Sequence, residues 1–220
     1  MESNQLIQNT IDFVKQELQN AEGGHDWFHI ERVFNTSKLI LNHEDGDSLI
    51  VQLAALLHDI ADPKFHGGDE NIGPETAKTF LESQLVDEKT ISHVVDIIKH
   101  MSFKNSLDKN NRKAFTSKEL HIVQDADRLD AIGAIGIARA FNYGGFKNRE
   151  LYNPDVPPNP NLTKKEYKNS KAPTINHFYE KLLLLKDKMN TETGKKLAEE
   201  RHLFMLEYLN QFYKEWNGKE

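Results

Sequence analysis

The chain has 220 residues, 38% hydrophobic and 28% charged, which is enough for an ordinary globular protein to bury a real core, and one domain spanning 1-220 is expected. There is no cysteine, which excludes disulfides, thiol catalysis and cysteine-containing zinc sites, so any metal must rest on His, Asp and Glu. The formal net charge is −6 without a long Lys/Arg block, which argues against duplex nucleic acid as a partner but leaves room for a small anionic substrate at a local metal ion.

The start, "MESNQLIQNT", lacks the basic and apolar regions of a secretory signal, and no apolar run nears the roughly 20 residues of a membrane span. A cytoplasmic protein without membrane partners is expected. Residues 4–20 place Ile7, Ile11, Val14 and Leu18 on one helical stripe, and 30–42 do the same with Ile30, Val33, Phe34, Ser37 and Leu41. Segment 48–60 is apolar almost all round, which predicts a central helix. Pro74 is expected to open the next helix as its first residue. Asp87 is expected to cap another that buries Ile91, Val94, Val95 and Ile98. Thr116 with Glu119 reads as a capping box ahead of a helix at 118–130, and two more helices are predicted at 174–189 and 192–216. No segment sustains strand-like alternation, so the predicted class is all-α. Residues 102–115 are polar, and 144–172, opening on Gly144-Gly145 and running through "NPDVPPNPNLT", predict a long irregular surface excursion.

Three segments set ionisable groups into apolar helical surroundings: "GGHDWFHIERV" at 23–33, "LLHDIADPK" at 56–64 and "IVQDADRLDAIGAIGIAR" at 122–139. Burying such groups unpartnered is expensive, so they should satisfy one another or bind a metal. Neighbours on a regular helix point about 100° apart, so His58 and Asp59 can share an ion only from a helix end, which the break at Pro63 would supply. Lys64 and His66, with the amides of Gly67 and Gly68, offer contacts to phosphate oxygens, or else form a plain loop. His100 follows the apolar stripe of its helix and reads equally as a substrate contact or a capping histidine. His43, His93, His121, His177 and His202 lack matching partners and read as surface or packing residues. The stripe Phe204, Tyr208, Phe212 and Trp216 reads as core rather than as a base-stacking platform. "HDWFH" also has the spacing of a zinc-protease helix, but that reading leaves the other two segments unexplained.

Taken in order, His29, the doublet His58-Asp59, and Asp127 in "DADRL" resemble the HD-domain superfamily of metal-dependent phosphohydrolases, and the flanks resemble a group of small bacterial HD hydrolases. The resemblance implies a helical fold and a divalent cation held by His29, His58, Asp59 and Asp127, with Asp125 orienting a ligand or Arg128. The mixed nitrogen and oxygen set suits Mn, the preferred expectation, and also Mg, Fe, Co, Ni or Zn. It further implies that Asp62 steers or deprotonates the attacking water, against the plain alternative of a helix-terminal acid facing solvent. The implied substrate is a small phosphorylated molecule, a nucleotide by family tendency, with cleavage of triphosphate to monophosphate and pyrophosphate as one form. A dinuclear-iron oxygenase and a ligand-sensing protein without turnover remain as alternatives, the first lacking an adjacent histidine pair.

Overall fold

The computed structural model describes residues 3–19, 26–61, 69, 71–101, 115–163, 166 and 170–219, and among them every regular element is helical. They are α1 (Ser3–Glu17), α2 (Trp27–Leu41), α3 (Ser48–Leu57), α4 (Ile72–Ser83), α5 (Glu88–His100), α6 (Lys118–Asp130), α7 (Gly133–Phe146), α8 (Asn176–Glu180), a 3₁₀ helix (Leu182–Lys188) and α9 (Glu192–Trp216). The chain divides into two units, Met1–Ala126 and Asp127–Glu220. No helix among the described residues is long and apolar enough to cross a membrane.

In the first unit α3 packs against α1, α2 and α5, and α4 packs against α5. The sequence of α3 dictates this central place, because Val51 and every residue from Leu53 to Leu57 are fully buried. Each such leucine contributes about 1.5–3 kcal/mol of transfer free energy. Aspartates set where the helices begin. Asp26 accepts from the His29 amide at 3.0 Å, and Asp47 from Leu49 and Ile50 at 2.9 and 3.1 Å. Asp87 caps α5 as expected, accepting from Thr90 N at 3.1 Å, and Ile91, Val94, Val95 and Ile98 are buried.

Two helix starts differ from the sequence reading. Helix α4 opens at Ile72, two residues before Pro74, since a proline is tolerated anywhere in a first turn whose N–H groups have no helical acceptor. Ser117, not Thr116, caps α6, accepting from Leu120 N at 3.1 Å. Glu119 does not close a box but accepts from the backbone of Asp47 at 3.0 Å, while Thr116 turns its hydroxyl to His121 Nε2 at 3.0 Å. His93 and His121 therefore have specific partners, which the sequence reading did not give them.

In the second unit α9 packs against α7 and the 3₁₀ helix. Phe178 is fully buried and stacks with Tyr208 at 6.0 Å, and Phe141 joins both rings. The aromatic stripe on α9 is not core: Tyr208 and Phe212 are half-buried against neighbouring rings, Trp216 is 48% exposed though it meets Phe212 and Tyr152, and Phe204 is 47% exposed. The helix expected at 174–189 splits at Lys181 (φ −145°, ψ −58°) into α8 and the 3₁₀ segment. The excursion begins at 147 rather than 144, because α7 runs through Gly144-Gly145 to Phe146. A side chain at Gly144 would collide with Thr174, so glycine lets the two segments meet. Beside this contact, Thr174 N donates to Glu150 O at 2.9 Å and Ile175 N to Leu151 O at 3.0 Å, closing the base of the excursion.

Candidate metal centre

His29 lies in the first turn of α2, where the Asp26 cap fixes the backbone, and is 2% exposed. His58 follows the last residue of α3 and Asp59 follows it, so the doublet lies at a helix end, as the 100° argument requires. The His29 and His58 rings meet edge-on with centroids 5.4 Å apart. One ligand atom from each of His29, His58 and Asp59 lies within 4.8 Å of the other two. Two ligands on opposite sides of one ion are separated by about 4.2 Å at bond lengths near 2.1 Å, so the group is within a small adjustment of a shared ion.

The chemistry of the donors fits a cation. His58 Nδ1 stands 2.9 Å from the Ala55 carbonyl, an oxygen that can only accept, so Nδ1 carries the proton and the neutral ring keeps its lone pair on Nε2. A carbonyl that fixes the tautomer of a histidine in this way is the usual support of a metal ligand. With a neighbouring imidazole and a carboxylate oxygen, His58 completes a mixed nitrogen and oxygen set of the kind divalent ions accept.

The remaining site residues fall elsewhere. Asp127 belongs to the second unit, in the last turn of α6, and is half-buried. Of its neighbours, Asp125 is fully buried and Asp130 is buried against Arg139, whose Nη1 donates to its carboxylate. His100 is the last residue of α5; its Nδ1 donates to Asp96 O at 2.7 Å, leaving the lone pair on Nε2, and its ring tilts against Phe115 at 5.4 Å. Asp62, Lys64 and His66 lie outside the described residues.

Sequence reasoning missed Lys181. Burial pulls its ammonium below the usual lysine range, the Asp127 carboxylate holds it up, and Arg139 pushes it further down. The residue as a whole is exposed. Nothing in the local sequence pairs residues 54 positions apart, so no motif announced it.

A helical fold that brings two histidines and an aspartate to one point in the pattern His, then His-Asp, defines an HD-type domain. The HD domain family matches residues 27–132. The chain is 39% identical to YpgQ of Bacillus subtilis over 214 residues, covering 94% of this chain and 91% of YpgQ. It superposes on an HD-superfamily hydrolase of Bacillus thuringiensis with a TM-score of 0.79 and 42% identity, over 99% of this chain and 100% of the other. The structure of YpgQ in complex with ADP aligns with a TM-score of 0.73 and 35% identity, over 98% and 97% of the two chains. This chain belongs to the HD-domain superfamily. HD domains bind divalent metals, and the His-His-Asp group is present here.

Proposed function

We propose that the protein is a metal-dependent phosphohydrolase acting on nucleotides, with a divalent cation, Mn²⁺ by preference, held by His29, His58, Asp59 and Asp127. The convergence of ligand atoms from His29, His58 and Asp59, with the His58 tautomer set by Ala55, is the observation that carries this reading. The presence of ADP in the YpgQ complex supports a nucleotide as substrate.

A bound divalent cation would supply Lewis acidity, lowering the pKa of a water molecule and polarising a phosphoryl oxygen. The chain's own residues have separate duties. His58 and His29 present neutral imidazole nitrogen, while Asp59 and Asp127 bring the two negative charges that offset a dication. Asp62 takes or steers the proton of the attacking water, and Lys64, His66 and His100 contact the phosphate oxygens. Cleavage of a nucleoside triphosphate to monophosphate and pyrophosphate is the expected form of the reaction, carried out by one domain spanning the chain in the cytoplasm.

A phosphorus NMR time course tests this, using chelator-stripped protein reloaded with Mn²⁺ and mixed nucleoside mono-, di- and triphosphates. Pyrophosphate or orthophosphate should appear with the wild type and not with Asp127→Ala. Metal binding without any cleavage would remove nucleotides as substrates. In the same assay Asp62→Ala should lose about 100-fold or more in turnover while still binding Mn²⁺, the size of effect general-base removal produces.

A further inference from the structure

We infer that an exposed aromatic and cationic surface of the second unit, built on Phe146, Trp216, Lys147 and Arg149, binds single-stranded nucleic acid, its rings stacking on bases and its cations meeting phosphates. The inference depends neither on the metal centre nor on the reaction proposed above.

The surface begins where α7 ends. The backbone reverses there in a Schellman turn, with Asn148 in the left-handed region at φ 52°, Asn148 N donating to Gly145 O at 3.0 Å and Arg149 N to Gly144 O at 2.9 Å. The turn folds the following residues back on the last turn of the helix. Lys147 Nζ consequently lies 4.7 Å from the Phe146 ring centre and 5.5 Å from that of Tyr143, and the Arg149 guanidinium lies 5.5 Å from Tyr143. Both cations are held against rings by the attraction of charge for a π face. Arg149 Nη2 donates to the Ser170 carbonyl at 2.7 Å, and neither cation is paired with a carboxylate among the described residues. The adjoining acid, Glu150, accepts instead from Asn153 Nδ2 at 3.0 Å.

Burial does not account for the rings. Phe146 is 68% exposed, so with one face under the Lys147 ammonium it keeps the other open. Trp216 supplies a second open face, for it stacks on Phe212 at 6.0 Å and meets Tyr152 edge-on at 5.1 Å, yet is 48% exposed. The stripe that reads as core in the sequence thus ends in a ring that the core does not use. Phe146 and Tyr152 are six residues apart, which is at most about 22 Å of chain. Both open rings are therefore within reach of a strand of about ten nucleotides, each advancing about 3.4 Å.

The chemistry selects the partner. An open ring takes the face of a base, and a cation beside it meets a phosphate of the same strand. Bases in a duplex are already stacked on one another and offer only their edges, so the surface favours single strands. A lone nucleotide reaches one ring, whereas a strand joins two and makes the second contact intramolecular. The net charge of −6 opposes any polyanion and only a few cations favour it, so stacking leads the binding and salt weakens it modestly.

Fluorescence anisotropy of a labelled oligouridylate of about 12 nucleotides, titrated with the full chain with and without Mn²⁺, tests this. Affinity should be the same in both conditions, and its logarithm should fall against the logarithm of salt concentration with a slope near −1.4, about −0.7 for each phosphate neutralised. Phe146→Ala and Trp216→Ala should each weaken binding about tenfold or more, the loss of one stacked base, while Phe146→Trp retains it. Lys147→Gln should reduce the slope by about 0.7. Leu85→Ala, at a 90% exposed apolar residue of the first unit, should match the wild type. Should Trp216→Ala fail to fold, Phe146→Ala, at the more exposed ring, carries the same test. Binding of a duplex, of polyphosphate or of phosphatidylserine vesicles as tight as that of the oligonucleotide would overturn the proposal, since edges, charge alone or a lipid surface would then explain the patch. No binding by the wild type, or affinity within twofold of wild type in Phe146→Ala, would overturn it too. Binding that disappears without Mn²⁺ would assign the strand to the metal centre and overturn the proposal while leaving the metal reading intact.

Discussion

At the end of α3, His58 donates from Nδ1 to the Ala55 carbonyl, which leaves its lone pair on Nε2, and the residue clusters with His29 and Asp59. On α5, His93 also stands beside an acid, but its Nε2 lies 3.1 Å from Ser117 Oγ and 3.4 Å from Glu119 Oε2. Ser117 Oγ also caps α6, and Glu119 Oε1 accepts from the backbone of Asp47, the residue that caps α3. The same residue types thus make two different devices. Where lone pairs converge they form a ligand set, and where each donor meets an acceptor of the protein they fasten one helix start to another.

The largest effect should come from exchanging the roles. His58→Ala should lower Mn²⁺ affinity and turnover more than about 100-fold, exceeding the loss typical of supporting residues, whereas His93→Ala should change neither by more than about threefold. Parallel Mn²⁺ titrations and phosphorus NMR rates decide this, and equal losses in both variants would dissolve the distinction.

His177 on α8 sharpens the contrast as a third kind of histidine. Burial, then the charges of Lys181 and Arg149, push its pKa down to about 3 from an ordinary 6.5. Between those values the unfolded chain takes up a proton that the folded chain refuses, so stability falls as pH falls through this window, by at most ~1.4 kcal/mol per unit. Urea unfolding at pH 7 and pH 5 should show the wild type losing about 2 kcal/mol more than His177→Gln.

The smallest effects belong to the fastening. Ser117→Ala should cost about 1–2 kcal/mol of stability, the range of a lost cap, with Mn²⁺ affinity unchanged. For Glu119, burial works to raise the pKa, but hydrogen bonds from the Asp47 and Glu119 backbone and from Ser117, with the His93 charge, leave it lowered from 4.5. Its contribution is present above that ordinary value and is lost as pH falls through the lower folded value. Glu119→Gln should therefore lower stability at pH 7 and flatten the acid limb of the unfolding curve below pH 4.5, so that the two proteins converge in strong acid.

Local chemistry made much of this readable in the sequence. The central position of α3 followed from its all-round apolar composition, and α9 has the predicted limits, 192–216, because Thr191 caps it through Gly194 N at 2.9 Å. His29, His58 and Asp59 were legible because each sits in a short motif. The errors share a cause, which is competition that periodicity does not register. Ser117 and Thr116 are equally good caps on paper, and only the positions of His121 and Asp47 decide between them. The leucine run 182–185 reads as α-helix, yet the turn at Lys181 tightens it to 3₁₀. The influence of Asp127 on Lys181 was invisible because the two lie far apart in the chain.

The closed base of the excursion has a further meaning for how this chain can vary. Gly144 against Thr174 and the paired backbone bonds from Thr174 and Ile175 bring its two ends together, with Asn176 Nδ2 holding the Val156 carbonyl at 2.9 Å just beyond. With the ends pinned at this base, the entropy of closing any flexible length inserted between them grows only with the logarithm of that length. Doubling the excursion would cost about 0.6 kcal/mol. Added length is thus cheap where the segment touches nothing, whereas Tyr152, packed on Phe212, Tyr213 and Trp216, and Asn159, bonded to Glu180, hold their own stretches to the helices.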